Sequence, residues 1–206
     1  MAFLHLTERI PRKVCIALSG GADSMVGLDF CIKKGIAVKA LHFNHGNDDS
    51  DKYEEFVVDY CRRLNVPIVI DRLSEEVPKR RSKEDFWREK RYDFFSKHSE
   101  GLKVVTCHHL DDAVETWVFS SMKGNPKTIP HSRGIFIRPF LLNKKSAILD
   151  WAEQNNVPFI QDMTNFDSSF DRNYIRNEMM SHVLRINPGI HKVIKKKILS
   201  SVGRTA

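Results

Sequence analysis

The sequence predicts an α/β protein, a parallel five-stranded sheet with helices on both faces, followed by a short C-terminal helical extension. Three observations predict it. Short apolar runs alternate with segments of helical periodicity as far as Asn155. A glycine-rich turn, Ser19-Gly20-Gly21-Ala22-Asp23-Ser24, joins the first apolar run to the first helix. Further histidine- and acid-rich clusters follow later runs, where open α/β sheets bind their ligands.

Taken in order, Val14–Leu18 is an unbroken apolar run that reads as a buried strand, and Ser24–Lys33 reads as a helix with Val26, Leu28, Phe30 and Ile32 available for packing. Ile36–Phe43 is the second strand, and Asp51–Leu64 has amphipathic helical spacing. Pro67–Ile70 is a short third strand. Lys83–His98 is a helix carrying Phe86, Trp87, Tyr92, Phe94 and Phe95. Leu102–Cys107 is a strand, Leu110–Met122 a helix, Ile135–Arg138 the last short strand and Lys144–Asn155 a helix. Met163–Asp171, rich in Asp, Asn and Ser, reads as a loop. Helices are expected over Arg172–Arg185 and, after Pro188-Gly189, over Ile190–Val202. The expected organisation is a main domain over 1–160 and a basic helical extension over 161–206 that completes the same catalytic unit.

With 206 residues, 41% hydrophobic and 29% charged, the composition is that of a soluble globular protein. No apolar run reaches bilayer length and the start lacks a signal-peptide pattern, so no membrane partner and a cytoplasmic location are expected. The four cysteines, Cys15, Cys31, Cys61 and Cys107, form no CxxC pair, which argues against zinc ribbons and iron–sulfur clusters. A net charge of +7 suits a polyanionic partner. Two basic stretches carry much of it, one from Lys79 to Arg91 and one at Lys192, Lys195, Lys196, Lys197 and Arg204.

The glycine turn has a direct chemical meaning. Between a strand and a helix it leaves backbone N–H groups free at a helix N-terminus, and glycine lets the chain approach a phosphate without Cβ obstruction. It lacks the Gly-Lys-Ser/Thr ending of a Walker loop. Ser19, Gly20, Gly21, Asp23 and Ser24 are therefore candidate phosphate- and metal-binding residues. In His108-His109-Leu110-Asp111-Asp112-Ala113-Val114-Glu115, helical spacing places Asp112 and Glu115 on one face. Two carboxylates there repel unless a cation lies between them, and opposite a phosphate loop the natural cation is Mg²⁺. Asp111 and Asp112 could also merely complement a helix start. His42, Asn44 and His45 follow the second strand and, with His108, are expected on the same rim around a nucleotide. Asp162-Met163-Thr164-Asn165 and Arg172-Asn173-Tyr174-Ile175-Arg176-Asn177 form a third constellation, in which arginine suits a transferring phosphate.

The hexamer SGGADS resembles the pyrophosphate loop of the N-type ATP pyrophosphatases. With HFNHG, SKEDFWREKRYDFF, HHLDDAVET, IRPFL and QDMTNFDSSFDRNYIRN following in order, nearly the whole chain is similar to the bacterial tRNA(Ile)-lysidine synthetases, in a compact form without the C-terminal domains of larger members. The resemblance implies a Rossmann-like, adenine nucleotide alpha hydrolase-like fold. It also implies ATP-dependent joining of free lysine to the wobble cytidine of an isoleucine tRNA with a CAU anticodon. It assigns Asp23 and Asp112 to Mg²⁺, Asp112 and Glu115 to metal and substrate lysine, and Arg88 or Arg91, with Arg172, to the α-phosphate and the tRNA backbone. Two departures stand out: Asn47-Asp48-Asp49 replaces the usual Leu-Arg, and Thr164 the usual serine. A related enzyme that thiolates a tRNA base by the same adenylation is the alternative, and the lack of a CxxC pair counts against it. The sequence leaves the oligomeric state, a homodimer included, open.

Overall fold

A computed structural model describes residues 3–46, 49–161 and 171–203. The parallel strands are β1 (Lys13–Ala17), β2 (Ala37–Asn44), β3 (Ile68–Arg72), β4 (Val104–Val105) and β6 (Phe136–Ile137). A further two-residue strand, β5 (Ser132–Arg133), pairs antiparallel with β6 at the sheet edge, so the sheet has six strands in the order β3-β2-β1-β4-β6-β5. The sequence reading has no β5 because two polar residues before Gly134 carry no strand periodicity. The five parallel strands are those it expects.

The helices are α1 (Ala22–Lys33), α2 (Ser50–Arg63), α3 (Lys83–His98), α4 (Leu110–Met122), α5 (Lys145–Gln154), α6 (Asp171–Tyr174), α7 (Met180–Ile186) and α8 (Ile190–Val202), with a π-helical turn over Ile175–Met179 between α6 and α7. Strand side chains alternate between two cores, as the pleat dictates. Val14, Ile16 and Val105 pack with α1, α2 and α5, while Cys15, Leu41 and Val104 pack with Phe94 and Phe95 of α3. A third cluster joins α4 to α8 through Leu110, Val114, Ile190, Ile194 and Ile198, with Ile175 beside them.

Helices α1 and α5 lie alongside each other. Lys145 Nζ donates to Asp23, Trp151 Nε1 to Asp29 and Lys33 Nζ to Asn155, at 2.7, 2.8 and 2.8 Å. Each of these pairs spans 122 residues, and the constant offset means the two helices run parallel. On its other side α1 meets β4's continuation at Gly27, where an added Cβ would stand 2.4 Å from Cys107 Sγ. The order reverses between β1 and β4, so the loops after these two strands flank one crevice.

Candidate functional site

The turn after β1 is built for close approach and stiffened from within. Gly20 has φ +88°, and a Cβ there would press on Val57, Phe56 and Tyr53 of α2 at 3.4–3.6 Å. Gly21 caps α1 in extended conformation, leaving the first N–H groups of the helix facing outward. The buried Ser24 hydroxyl is the brace: it accepts from Ser19 N–H at 3.1 Å, donates to Gly21 C=O at 3.0 Å and touches Ser19 Oγ at 3.1 Å. The chain leaving α5 returns to the same loop, where Ile160 N–H donates to Gly20 C=O.

Across the crevice, α4 begins with a capping box made by an unusual pair. His109 N–H donates to Asp112 Oδ2 at 2.9 Å, and Asp112 N–H donates to His109 Nδ1 at 3.4 Å. The His109 ring then lies between the acids, its Nε2 3.6 Å from Asp23 Oδ1 and 3.5 Å from Asp112 Oδ2. Asp23 and Asp112 thus both lie beside the His109 ring. Arg176, in the π-helical turn, grips Glu115 with two hydrogen bonds of 2.9 and 2.8 Å and reaches Asp112 at 3.2 Å. Burial raises the Glu115 carboxyl above its usual range, and Arg176 offsets part of that rise. Burial would also raise Asp111, but the Lys145 N–H and His191 outweigh it and hold this acid below its usual range.

The far side of the rim is basic and aromatic. Arg88 lies over the Tyr92 ring at 4.8 Å and its Nη2 is 3.4 Å from the hydroxyl. Arg138, just past β6, approaches the same hydroxyl at 3.5 Å. His108 is held well below its ordinary range by burial and by Arg138, Arg88 and Arg91. His45 is pushed down to about 4 by burial and Arg91, its ring between Phe43 and Trp87 at 5.1 and 5.2 Å. His42 is buried, with Nδ1 2.8 Å from Leu18 C=O, and burial lowers its pKa. Among the described residues, the buried side-chain nitrogens with no partner are His42 Nε2, His45 Nδ1 and Arg138 Nε.

Two sequence candidates sit elsewhere or are otherwise engaged. Asn44 bonds Asp51, Glu54 and Gly46 N–H, which fixes the turn after β2. Arg172 pairs with Glu84 of α3 at 3.1 Å and lies over Phe119, and it is Arg176, one turn later, that meets the acidic pair. The stretch Asp162–Phe170, with Thr164, and the departures Asn47 and Asp48 lie outside the described residues. Lys145 and Arg138 escape sequence reasoning because nothing local marks them for the site: Lys145 meets Asp23 from 122 residues away and Arg138 meets Tyr92 from 46.

Among the described residues no three acids, histidines or cysteines converge as a metal cage, and no helix is long and apolar enough to cross a membrane. The donor set is nevertheless suited to Mg²⁺, which takes one or two carboxylates and completes its shell with phosphate oxygens and water. Asp23 and Asp112, both beside His109 and both paired with a cation, Lys145 and Arg176, offer such a pair.

The chain resembles curated proteins named tRNA(Ile)-lysidine synthase. One from Thermotoga maritima is 32% identical over 90% of this chain and 48% of its own length. One from Persephonella marina is 34% identical over 86% and 43%, and one from Haemophilus ducreyi 28% over 93% and 47%. The chain therefore spans about half the length of these relatives. The family model of the PP-loop domain matches residues 2–183, a stretch that takes in the glycine turn, the acidic helix start and the basic rim, and the chain belongs to the PP-loop family.

Proposed function

We propose that this chain uses ATP to join lysine to the wobble cytidine of an isoleucine tRNA with a CAU anticodon, giving lysidine, AMP and pyrophosphate. The observation that carries the reading is the acidic pair Asp112 and Glu115, fixed across the crevice from a phosphate loop and linked to it through His109 and Asp23. The names of the similar proteins point to the same reaction.

In this reading the α1 N-terminus and the loop amides bind the pyrophosphate half of ATP, with Ser19 and Ser24 keeping the loop in shape. Asp23 and Asp112 would hold Mg²⁺, which when bound offsets negative charge on the phosphates. Arg88, beside Tyr92, faces the α-phosphate. His42, His45 and His108, all uncharged at neutral pH, border the nucleotide without adding charge. The cytidine O2 attacks the α-phosphorus and the bond to the β-phosphate oxygen breaks, releasing pyrophosphate. The lysine ε-amine, deprotonated, then attacks C2 and AMP leaves. Glu115 is suited to hold that amine and take its proton, because burial makes its carboxylate a stronger base than usual. The main body over 1–160 supplies the nucleotide site, and the segment from 161 onward closes it through Arg176.

The test is incorporation of radiolabelled lysine into that tRNA with ATP and Mg²⁺. Lysine at the wobble cytidine is the expected result. Release of pyrophosphate that depends on tRNA, with no lysine incorporated, would keep the adenylation and reject lysine as the nucleophile.

A further inference from the structure

Arg138 is the most deeply buried cation of the basic rim, 3% exposed, and nothing in the proposed chemistry uses it. Its Nη1 donates to Pro130 C=O at 3.0 Å, its Nη2 approaches the Tyr92 hydroxyl at 3.5 Å, and its buried Nε has no partner. Among the described residues no carboxylate lies within ion-pair distance of Arg138, Arg91 or Arg88. An arginine that served packing alone would be an expensive choice, since burying an uncompensated guanidinium is unfavourable and an apolar side chain would fill the space.

Tyr92 connects this buried charge to the surface. Its ring packs on Phe136 of β6 at 4.6 Å, and its hydroxyl lies between Arg138 on one side and the exposed Arg88 on the other, at 3.5 and 3.4 Å. Arg88 also lies flat over the ring at 4.8 Å. The phenol oxygen is thus the one acceptor shared by two cations, and both distances are long for hydrogen bonds, so charge contributes more than orbital overlap. The like charges of Arg138 and Arg91 repel Arg88 on its inner side. An arginine so placed is held at the rim by the tyrosine and left facing outward, with no internal anion to neutralise it.

We infer that Arg138 is a positioning residue that acts through the Tyr92 hydroxyl to hold Arg88 ready for the α-phosphate of a nucleotide. The inference rests on the reading above that puts Arg88 at that phosphate. The burial of the Tyr92 hydroxyl would raise its pKa, yet Arg88, Arg138 and Arg91 together bring it below the ordinary value, in keeping with a phenol oxygen that carries partial negative charge between cations.

The experiment compares AMP with adenosine, whose difference in affinity isolates the α-phosphate, by calorimetry on the full chain. The unaltered protein is expected to prefer AMP by at least about tenfold, the scale of a charge-assisted contact. Tyr92→Phe keeps the ring on Phe136, and Arg138→Lys keeps the charge without the planar fork. Each is expected to reduce the preference about three- to tenfold with adenosine affinity unchanged. In an Arg88→Ala background neither should reduce it further, because residues that act through one another are not additive. Thermal melting of each variant confirms that it is folded. Losses that multiply with Arg88→Ala, or a full preference in folded Tyr92→Phe, would overturn the role. Equal binding of AMP and adenosine by the unaltered protein would overturn it too, whatever the lysine assay gives. Failure of lysine transfer with the coupling intact would instead remove the functional reading alone.

Discussion

On the α1, α4 and α5 side of the crevice four carboxylates are each engaged by a donor: Asp23 by Lys145, Asp111 by His191, Asp112 and Glu115 by Arg176. On the α3 and β6 side, Arg88, Arg91 and Arg138 gather around a tyrosine, and among the described residues none of the three is ion-paired to a carboxylate. Both halves use the same means, charged side chains at strand and helix ends, and they differ in who neutralises them. The acidic half is satisfied within the protein, so a cation entering it must displace Lys145 or Arg176. Among the described residues no carboxylate is ion-paired in the basic half, so an anion entering it has no such partner to displace. A protein so arranged should take the nucleotide first and receive cationic substrate or metal as those internal partners yield.

The largest way to break this comparison is Asp23→Asn, which removes a carboxylate facing the phosphate loop. Pyrophosphate release should fall by about a thousandfold or more, while melting changes little because the Asp23–Lys145 pair is partly exposed and surface pairs contribute little. Near-normal turnover would mean that the acidic half is not where the chemistry occurs.

A second test uses protons. His45 titrates at about 4 in the folded protein and near 6.5 when unfolded, so between these values the unfolded chain binds more protons and stability falls as the pH drops. The loss amounts to about 3 kcal/mol across that window at about 1.4 kcal/mol per unit. His45→Phe keeps the contacts with Trp87 and Phe43, and thermal melts from pH 6.5 to 4 should flatten; an unchanged slope would assign the loss to His42 and His108, whose lowered values act in the same direction.

Charge outside the crevice gives a smaller effect. Changing Lys195, Lys196 and Lys197 of α8 together to Ala should reduce the slope of log affinity for tRNA against log salt by about 2. An unaltered slope would take α8 off the RNA-binding face. The smallest effect sharpens the contrast most. Arg176→Ala frees Asp112 and Glu115, and Mg²⁺ binding measured by calorimetry in the presence of ATP should tighten about three- to tenfold, the range of a partly exposed ion pair. Unchanged Mg²⁺ affinity with lost activity would instead make Arg176 a partner of the phosphate.

Much of this was legible in the chain. Strand-forming runs such as Val14–Leu18 and the helix α4 follow from apolar spacing, and the glycine turn and the Asp112–Glu115 pair are local patterns that placement after a strand makes specific. What was not legible depends on distance in the sequence. Arg172 and Arg176 lie one turn apart on a helical segment, and no local rule says which of them faces α4; Ile175, buried in the α4–α8 cluster, fixes the turn so that Arg176 does. Arg138 is concealed within the apolar run IRPFL, where it reads only as the last residue of a short strand, although the fold buries it against Pro130 and Tyr92. His109 is not singled out by the sequence, because an N-cap histidine that bonds the acid three residues on follows no common capping pattern.

The parallel pairing of α1 with α5 carries a consequence for how the protein comes into being. The three bonds at a constant separation of 122 residues put the partners of α1, the helix that opens at the phosphate loop, in a helix synthesised long after it. Contacts of such separation form late, because the intervening chain must be ordered before they are rewarded. A nascent chain on the ribosome thus exposes its glycine turn well before Lys145 and Trp151 arrive to pair with α1. Nucleotide binding should consequently appear as an abrupt event near the end of folding, and bound ATP should protect the whole sheet from unfolding at once.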